Sequence, residues 1–328
     1  ATAGAAYIPG MCQTVIALED LAEMYLAGPV LVKAAIGQTQ DSQSLGGARM
    51  HAEKTGLVDY LANDFDDAAL RAEGLIRAWP HAPNVSHAHA QSRPMNPSQW
   101  LVNEQLDMEA FLNDLSDGPV EPYQEVIAPE MVCQMLVLSG SQVAVLSTTG
   151  PITSRGARKA SSFIKMIDGM GAPIIFIQNT VGFMVGVQEE QAGIICAGSE
   201  LIHAISVLKS PKITLHVGPA YGAGYYAMCG KPYAPDFIIS WPSYHLAVMG
   251  ADNAAKVMLA IKSRKHALSE SEKQNLYQSI FQQYQRESRS DFCSQKGFDD
   301  CMIDPQDTKA VILRVLEIID KRHANTHP

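Results

Sequence analysis

The sequence predicts an α/β fold in which buried strands and helices alternate along the chain. Three observations support this prediction. After residue 143, short apolar runs alternate with stretches of helical periodicity, in the order strand, helix, strand, helix, strand. Two of these strands run into glycine-rich loops, which is where wound α/β proteins bind their ligands. Only 18% of the residues are charged, as expected of an enzyme with a well-covered interior.

Length and charge exclude several classes of protein. The 328 residues suffice for two domains of ordinary size, each with its own core. A formal net charge of −9, without a basic stripe, argues against a nucleic-acid partner. No apolar run approaches the roughly 20 residues of a membrane span, and the six cysteines lack a C-x-x-C pair. We therefore expect a soluble protein with no membrane partner, reduced thiols and no zinc site, located in the cytoplasm or, in a eukaryote, in the mitochondrial matrix.

The first 78 residues are predicted to form a small α/β unit. Its elements, in chain order, are a small-residue turn at Ala3–Ala6, a strand within Thr14–Leu18, a second strand and turn at Met24–Gly28, a helix at Pro29–Ile36, a strand at Leu57-Val58 and a helix from Asp66 to about Ala78. The helix at Pro29 begins with proline because the missing N–H costs nothing in a first turn.

A linker is predicted at residues 79–99, because prolines replace the periodic pattern there. His81, His87 and His89 fall in this segment and raise the question of a metal site. Histidines in a proline-rich loop are far more often solvated side chains than ligands, so we expect no metal. The linker separates the first unit from a second domain at residues 100–328.

The second domain carries the clearest alternation of elements. We predict, in chain order, a strand at Val143–Leu146, a helix at Ala157–Ile167, a strand at Ile174–Ile177, one long helix from about Glu189 to Leu208, a strand at Ile213–Val217, a strand at Phe237–Ile239 and an extra helical piece from about Ser263 to Phe292.

The strand that ends near Val217 leads into a glycine-lined corner, Gly222-Ala223-Gly224. A short helix after such a corner directs several unpaired N–H groups at one point, which stabilises a negatively charged oxygen. We take these three residues as a candidate oxyanion hole. A tight turn without a ligand fits the same residues equally well.

A dinucleotide site is the main rival for this glycine pattern. Gly222, Gly224 and Ala227 match the fingerprint that follows a strand. That fingerprint needs a crossover helix of roughly ten or more residues before the next parallel strand. Gly230 interrupts the chain almost at once and the next strand is predicted at Phe237, so the helix is too short for a nucleotide.

The beginning and the end of the chain repeat each other weakly. The matched pairs are Ala3–Tyr7 with Tyr221–Tyr225, Leu26–Gly28 with Leu246–Gly250, and Leu57–Asp59 with Met302–Asp304. Three matches in the same order are hard to obtain by chance, so they indicate two copies of one domain. The first copy has almost no residues before its corner and the chain starts without Met. We therefore expect a fragment or processed chain whose first domain lacks its front half.

Short segments that match motifs of a known protein family are spread over nearly the whole chain. They are Leu26-Ala-Gly-Pro29, Val32-Lys-Ala-Ala35, Leu45-Gly-Gly-Ala48, Gln178-Asn-Thr-Val-Gly-Phe-Met-Val-Gly186, Pro211-Lys-Ile-Thr, Ala220-Tyr-Gly-Ala-Gly224, Met228-Cys-Gly230, Trp241-Pro242 and Ala247-Val-Met-Gly250. Together they resemble the carboxyltransferase (β) subunits of biotin-dependent acyl-CoA carboxylases, above all those of methylcrotonyl-CoA and geranyl-CoA carboxylase.

The resemblance implies two crotonase-like domains, each a repeated ββα superhelix, with the first truncated at its N-terminus. It implies dimers that build a hexameric core, in which the first domain of one subunit faces the second domain of its neighbour. It also implies biotin as cofactor, carried on a partner biotin carboxylase or biotin carrier subunit, and a coenzyme A thioester as substrate.

The resemblance also assigns roles to residues. The second corner, Gly222, Ala223 and Gly224, would hold the ureido oxygen of biotin, with Phe183 nearby. The first corner would hold the acyl-CoA thioester oxygen. The residues assigned to it are Gly4, Ala5, Ala6 and Gly28. Gly222, Ala223, Gly4 and Ala5 would be the catalytic positions.

Two features depart from the family pattern. Ala5 stands where the family usually has a second glycine, which would tighten the thioester site. The family also has a long segment before the position of Ala1, including part of the acyl-CoA pocket, and Ser116–Pro129 departs from the aromatic-acidic motif expected there.

The chemistry expected is transfer of CO2 from carboxybiotin to the γ-carbon of an α,β-unsaturated branched acyl-CoA, such as methylcrotonyl-CoA or geranyl-CoA. Gln178-Asn179-Thr180 resembles these enzymes rather than the propionyl-CoA group. A hydratase could use Glu189 and Glu190 as acid and base, but carboxylates there more often begin a helix. Two alternatives stay open: a biotin-dependent acyl-CoA decarboxylase subunit, and a truncated, non-catalytic scaffold subunit.

Overall fold

The structure, a computed structural model, describes residues 1–78, 94–102, 105–265 and 269–326. It is a mixed α/β fold, as the alternation of elements predicts. The strands are β1 (Ile16–Leu18), β2 (Tyr60–Ala62), β3 (Leu101–Val102), β4 (Gln105–Leu106), β5 (Glu121–Pro122), β6 (Met131–Leu138), β7 (Ser141–Thr148), β8 (Ile174–Thr180), β9 (Lys212–Tyr221), β10 (Phe237–Ser240), β11 (His245–Ala247) and β12 (Cys301–Met302).

Helices fill most of the chain between the strands. They are α1 (Tyr7–Gly10), α2 (Pro29–Ile36), α3 (Ser42–Gly46), α4 (Ala48–Met50), α5 (Phe65–Ala78), α6 (Met108–Leu115), α7 (Ser154–Met170), α8 (Val187–Gln191), α9 (Ile194–Val207), α10 (Gly222–Ala227), α11 (Ala251–Lys265), α12 (Glu270–Glu287), α13 (Ser290–Gln295) and α14 (Thr308–Thr326). A 3₁₀ turn at Ala3–Ala6 precedes α1. None of the helices in the described ranges is long and apolar enough to cross a membrane.

One large sheet lies at the centre of the described residues. Its strand order is β12-β10-β9-β8-β7-β6-β5, and β11 pairs with the end of β9. From β7 to β12 along this order the pairs are parallel, whereas β5, β6 and β7 are antiparallel. The parallel strands are buried on both faces, which explains why their sequences are nearly continuous apolar runs.

The two faces of the sheet carry separate cores. Ile174 and Phe176 of β8 point to one face, where they pack with α7 and α9. Ile175 and Ile177 point to the other face, where α6, α14 and two stacked tryptophans cover them. Alternation along the strand therefore places helices on both sides, as a wound α/β sheet requires.

The structure has similar strand pairings near the beginning and near the end of the chain. β1 and β2 are parallel, as are β10 and β12. Thr2 bridges Tyr25 in parallel, as Tyr221 pairs with Ala247. The sequence match sets Gly4 against Gly222, but the backbone sets Ala3, with φ +56°, against Gly222, with φ +55°. At the corner, the backbone correspondence therefore differs by one residue from the sequence match.

Some predicted elements were placed wrongly. The single helix expected from Glu189 to Leu208 is two helices, because Gly193 adopts φ +79° and begins α9 anew. The strand expected at Met24–Gly28 is reduced to isolated bridges. The strand expected at Leu57-Val58 lies at Tyr60–Ala62, because the N–H groups of residues 59 and 60 both donate to the carbonyl of Val15. β6 was not predicted.

Residues 1–78 pack against the later part of the chain. Tyr60 lies in the same buried cluster as Tyr123 and Phe163, and the rings of Tyr60 and Tyr123 meet edge to face at 6.1 Å. Gln124 Nε2 donates to Asp59 Oδ1 over 2.8 Å and to the Gly56 carbonyl over 3.0 Å. The segments before and after residues 79–93 therefore share buried apolar and polar contacts.

Candidate functional site

The second glycine corner joins β9 to α10. Gly222 begins the helix with φ +55°, in the left-handed region that favours glycine. A Cβ at this position would lie 2.8 Å from the carbonyl oxygen of Val248. Any other residue at 222 would therefore strain the backbone and press against the segment after β11.

The corner presents backbone donors at one end of a short helix. Gly222, Ala223 and Gly224 occupy the first turn of α10, so their N–H groups have no acceptor within the helix. Ala223 is exposed and Gly224 is buried. Burial raises the pKa of the neighbouring Tyr221, so its phenol stays neutral beside the corner. The three predicted residues thus form one turn whose N–H groups suit an oxyanion.

The loop after β8 lies directly against this turn. A Cβ at Gly224 would be 2.8 Å from the Cα of Gly182. Gly182 in turn donates its N–H to Thr180 Oγ1 over 3.1 Å, and its carbonyl accepts from the N–H of Ile152 over 2.9 Å. The ends of two neighbouring strands are therefore held together at the corner.

Phe183 follows Gly182 and is half-buried. Its ring packs on α9, 3.2 Å from the position that a Cβ of Gly198 would take. Phe183 thus belongs to the loop that contacts the corner, while its ring rests against the helix behind that loop. A contact of Phe183 with biotin stays a prediction.

The first corner is the 3₁₀ turn at Ala3–Ala6. Ala3 donates its N–H to the carbonyl of Tyr25 over 3.1 Å, and Ala5 donates to the carbonyl of Thr2 over 3.3 Å. The N–H of Gly4 has no backbone acceptor within the described ranges, and a Cβ there would meet nothing within 4 Å. Gly4 is therefore the free, exposed donor of this corner.

Ala6 and Gly28, the other residues assigned to the first corner, lie within the same turn or next to a residue that contacts it. Ala6 closes the same 3₁₀ turn. Gly28 precedes α2, and a Cβ there would be 3.3 Å from the ring of Tyr25, which bridges the corner. The structure therefore connects Gly4, Ala5, Ala6 and Gly28, and their binding of acyl-CoA stays a prediction.

Glu189 and Glu190 occupy the first turn of α8. Glu189 Oε2 accepts the N–H of Ser154 over 2.7 Å and so caps the start of α7. Both glutamates lie in the first turn of a helix, as the helix-start interpretation predicts.

Within the described ranges, no group of three or more His, Cys, Asp or Glu side chains is arranged to hold a metal ion. His81, His87 and His89 lie outside those ranges. α10 has only six residues, which agrees with the exclusion of a dinucleotide site.

The sequence matches the model of the carboxyl transferase domain over residues 1–328. The chain belongs to the carboxyl transferase domain family. A curated relative is the mitochondrial methylcrotonoyl-CoA carboxylase beta chain of Dictyostelium discoideum, 31% identical over 325 residues. That alignment covers 95% of this chain and 55% of the relative, so this carboxyl transferase domain spans about half of the relative's length.

Solved structures of this family agree with the fold. The transcarboxylase 12S structure, a hexamer assembly with methylmalonyl-CoA and methylmalonic acid bound, has a TM-score of 0.87 at 27% identity, covering 97% of this chain and 63% of that one. The β subunit of geranyl-CoA carboxylase from P. aeruginosa has a TM-score of 0.63 at 31% identity, covering 97% and 61%. The crotonase-like architecture expected from the motifs is thereby confirmed.

Sequence reasoning missed two features of this carboxyl transferase domain. The Val248 carbonyl limits the space at Gly222, and a backbone atom leaves no signal in the sequence. Gln178 Nε2 donates to the carbonyls of Tyr225 and Met228 over 3.2 and 2.7 Å. The change from the apolar run Ile174–Ile177 to glutamine at 178 was the signal that could have pointed to this contact.

Proposed function

We propose that this chain is the carboxyltransferase part of a biotin-dependent acyl-CoA carboxylase. It would move CO2 from carboxybiotin to the γ-carbon of an α,β-unsaturated branched acyl-CoA. One observation carries the proposal: a chain of this family has two related corners. In each corner a short helix begins with a residue in the left-handed conformation, Ala3 in one and Gly222 in the other.

The second corner fits the ureido group of biotin. Gly222 and Ala223 supply N–H groups at the start of α10, and no side chain at 222 obstructs them. Val248, whose carbonyl lies next to Gly222, is 71% exposed, and Val185 in the loop after β8 is 83% exposed. Exposed apolar side chains beside polar donors suit a ring system that has one apolar edge and one polar oxygen.

The first corner fits the thioester oxygen of an acyl-CoA. Gly4 offers its N–H, and the space above it is open in this chain. An oxygen that gains negative charge during proton removal would be stabilised there. The proposed reaction places negative charge on two oxygens, the ureido oxygen of biotin and the thioester oxygen of the acyl-CoA. Each oxygen would have its own set of N–H donors.

The chain's own residues supply charge stabilisation rather than a side-chain base. Carboxybiotin, when bound, supplies CO2 and a ureido nitrogen that can accept a proton. The N–H groups of Gly222 and Ala223 would stabilise charge on the ureido oxygen, and Gly4 would stabilise charge on the thioester oxygen. Loss of one such donor typically costs about 3 to 4 kcal/mol of transition-state stabilisation.

The substrate proposed is methylcrotonyl-CoA or a longer relative such as geranyl-CoA. Proteins with those names are 31% identical to this chain over the aligned residues. Gln178, Asn179 and Thr180 at the end of β8 support the same choice through their resemblance to the unsaturated branched-acyl enzymes. Asn179 lies close to the corner strand, since a Cβ at Gly218 would be 2.3 Å from its Oδ1.

The partners proposed are a biotin carboxylase or biotin carrier subunit and further copies of this chain. The hexamer assembly of transcarboxylase 12S supports a dimer-built hexameric core. The mitochondrial Dictyostelium relative supports the mitochondrial matrix in a eukaryote, with the cytoplasm as the alternative in bacteria.

The test is a substrate panel. The full-length protein and its biotinylated partner are supplied with ATP, radiolabelled bicarbonate and one of four acyl-CoA thioesters: methylcrotonyl, geranyl, propionyl or acetyl. We expect the highest kcat/KM with one of the two unsaturated branched substrates. A preference for propionyl-CoA or acetyl-CoA would refute the substrate proposal. Absence of transfer to all four, with release of CO2 from the carboxylated thioesters, would favour the decarboxylase alternative.

A further inference from the structure

Gln178 is a buried polar residue at the end of β8 for which the proposed reaction has no use. Its side chain is 0% exposed. The residues before it on the strand, from Ile174 to Ile177, are apolar and buried, so nothing in the strand itself calls for an amide at 178. Its partners belong to the corner helix α10 and to the C-cap residue that follows it.

The amide group of Gln178 binds the C-terminal end of α10. Nε2 donates to the carbonyl of Tyr225 over 3.2 Å and to that of Met228 over 2.7 Å. Carbonyls in the last turn of a helix have no partner within it. Gln178 thus satisfies two of them from the neighbouring strand and ties the far end of α10 to the sheet.

The orientation of this amide is determined by its surroundings. If the amide were turned over, Oε1 would face two carbonyl oxygens, which is unfavourable. In the orientation present, Oε1 is buried without a hydrogen-bond partner in the part of the chain that the structure describes. An unsatisfied buried oxygen costs free energy. The stabilising contacts of Gln178 with α10 are therefore made by its Nε2 donor and not by Oε1.

A second side chain reinforces the same end of the helix. Thr214 on β9 donates through Oγ1 to the carbonyl of Cys229 over 2.6 Å. Thr214 pairs with Phe176, two residues before Gln178, so both polar side chains point to the same face of the sheet. The turn after α10 contains Cys229 at φ +57°, a conformation that needs support.

We propose that Gln178 is a positioning residue of the second corner: by holding the C-terminal end of α10, it directs the N–H groups of Gly222 and Ala223. α10 is only six residues long, so a shift at its C-terminal end moves its first turn as well. A displacement of about 1 Å at such donors reduces the rate strongly. This inference rests on the proposed function of the corner.

The first test compares Gln178→Met with the parent protein. Methionine keeps the length of the side chain and removes the donor. Hydrogen exchange of the backbone amides at residues 222–230 should rise about tenfold or more. The control is Gln134→Met on β6, where Gln134 Oε1 is also buried without a partner but the strand lies away from the corner. Unchanged exchange at 222–230 in Gln178→Met would overturn the proposal, whether or not the parent protein is active.

Activity gives the second readout. In the full-length protein with its biotinylated partner, kcat for decarboxylation of carboxybiotin should fall about fivefold or more in folded Gln178→Met. The Kd of the acyl-CoA, measured by calorimetry, should stay within about twofold, because the first corner is untouched. A smaller fall in kcat, or an equal loss at both corners, would overturn the positioning role. A parent protein without transfer activity would instead refute the proposed function, and the exchange experiment would still decide the positioning role.

Gln178→Glu provides a variant whose donor depends on pH. A buried glutamic acid is protonated at low pH and can then donate to one of the two carbonyls, whereas its carboxylate cannot donate to either. The activity of Gln178→Glu relative to the parent should fall as pH rises. A ratio that does not change with pH would overturn the proposal.

Discussion

Gly182 and Gly224 meet where β8 and β9 end: a Cβ on Gly224 would lie 2.8 Å from the Cα of Gly182. The same Cβ would also lie 3.1 Å from Cγ2 of Thr180. Contacts this short leave no room for a methyl group unless the backbone moves. The loop after β8 and the first turn of α10 are therefore positioned by each other.

Gly224→Ala should destabilise the protein by about 1 to 3 kcal/mol, because an added methyl group in a closely packed site forces a backbone shift. Urea denaturation measures the change in free energy of unfolding. The matched control is Gly169→Ala in α7, where a Cβ meets nothing within 4 Å. The control should be neutral or stabilising by up to about 1 kcal/mol. Equal stability of the two variants would contradict the contact.

Gln124→Ala should cost about 1 to 3 kcal/mol of stability, because it removes the amide that donates to Asp59 Oδ1 and to the Gly56 carbonyl. Burial raises the pKa of Asp59, and hydrogen bonds such as the one from Gln124 oppose this effect. Thermal and urea denaturation provide the measurement. Gln283→Ala on the exposed side of α12 is the control and should change stability little. Similar values for both variants would show that the contact between the two segments contributes nothing.

His216→Leu should reduce the acid sensitivity of the fold. Burial lowers the pKa of His216 to about 3, so the folded protein keeps this imidazole neutral. The unfolded chain binds a proton there below its ordinary pKa of about 6.5, so stability from this group is lost as pH falls below that value. Between pH 7 and pH 5 the parent should lose about 2 kcal/mol more than the variant. Parallel stability curves for the two proteins would contradict the burial of a neutral His216.

Much of this architecture follows from periodicity along the chain. The buried strands β8, β9 and β10 were predicted because parallel strands covered on both faces are continuous apolar runs. The break at Gly193 was missed because apolar residues keep helical spacing on both sides of it, and a single left-handed glycine interrupts the helix. Periodicity reports which side of an element is buried, and it does not report a local change of backbone angle.

The two corners were predicted from the sequence, and the ligands they bind stay predictions. Gly222, Ala223 and Gly224 were found because glycine after a buried strand indicates a sharp turn. At the first corner the left-handed residue is Ala3, one position before the Gly4 that the sequence match sets against Gly222. The contacts that hold the corner, from Gln178 and from the Val248 carbonyl, join residues distant in sequence. Such contacts depend on strand register, which one sequence does not specify.

Residues 1–78 should exchange their backbone amides faster than residues 105–265. Their own sheet has only β1 and β2, and their small core consists of residues such as Ala17, Met24 and Val58. Leu26 and Val30 are 59% and 86% exposed, so this core is thinly covered. Hydrogen exchange read by mass spectrometry compares the two parts in one experiment. Equal protection of both would show that the contacts through Tyr60 and Gln124 stabilise the first part as fully as the large sheet does the second.

The most direct test of the proposed oxyanion hole is the decarboxylation of carboxybiotin by Gly222→Val in the full-length protein with its biotinylated partner. Valine at 222 meets the Val248 carbonyl and disfavours φ +55°, so the N–H donors of the corner are displaced. Gly222→Ala serves as the smaller change if the valine variant does not fold, and Gly169→Ala as the neutral control. Circular dichroism confirms that each variant is folded. The rate should fall about a hundredfold or more in the folded Gly222 variant; an unchanged rate in that folded variant would contradict the role of this corner as an oxyanion hole.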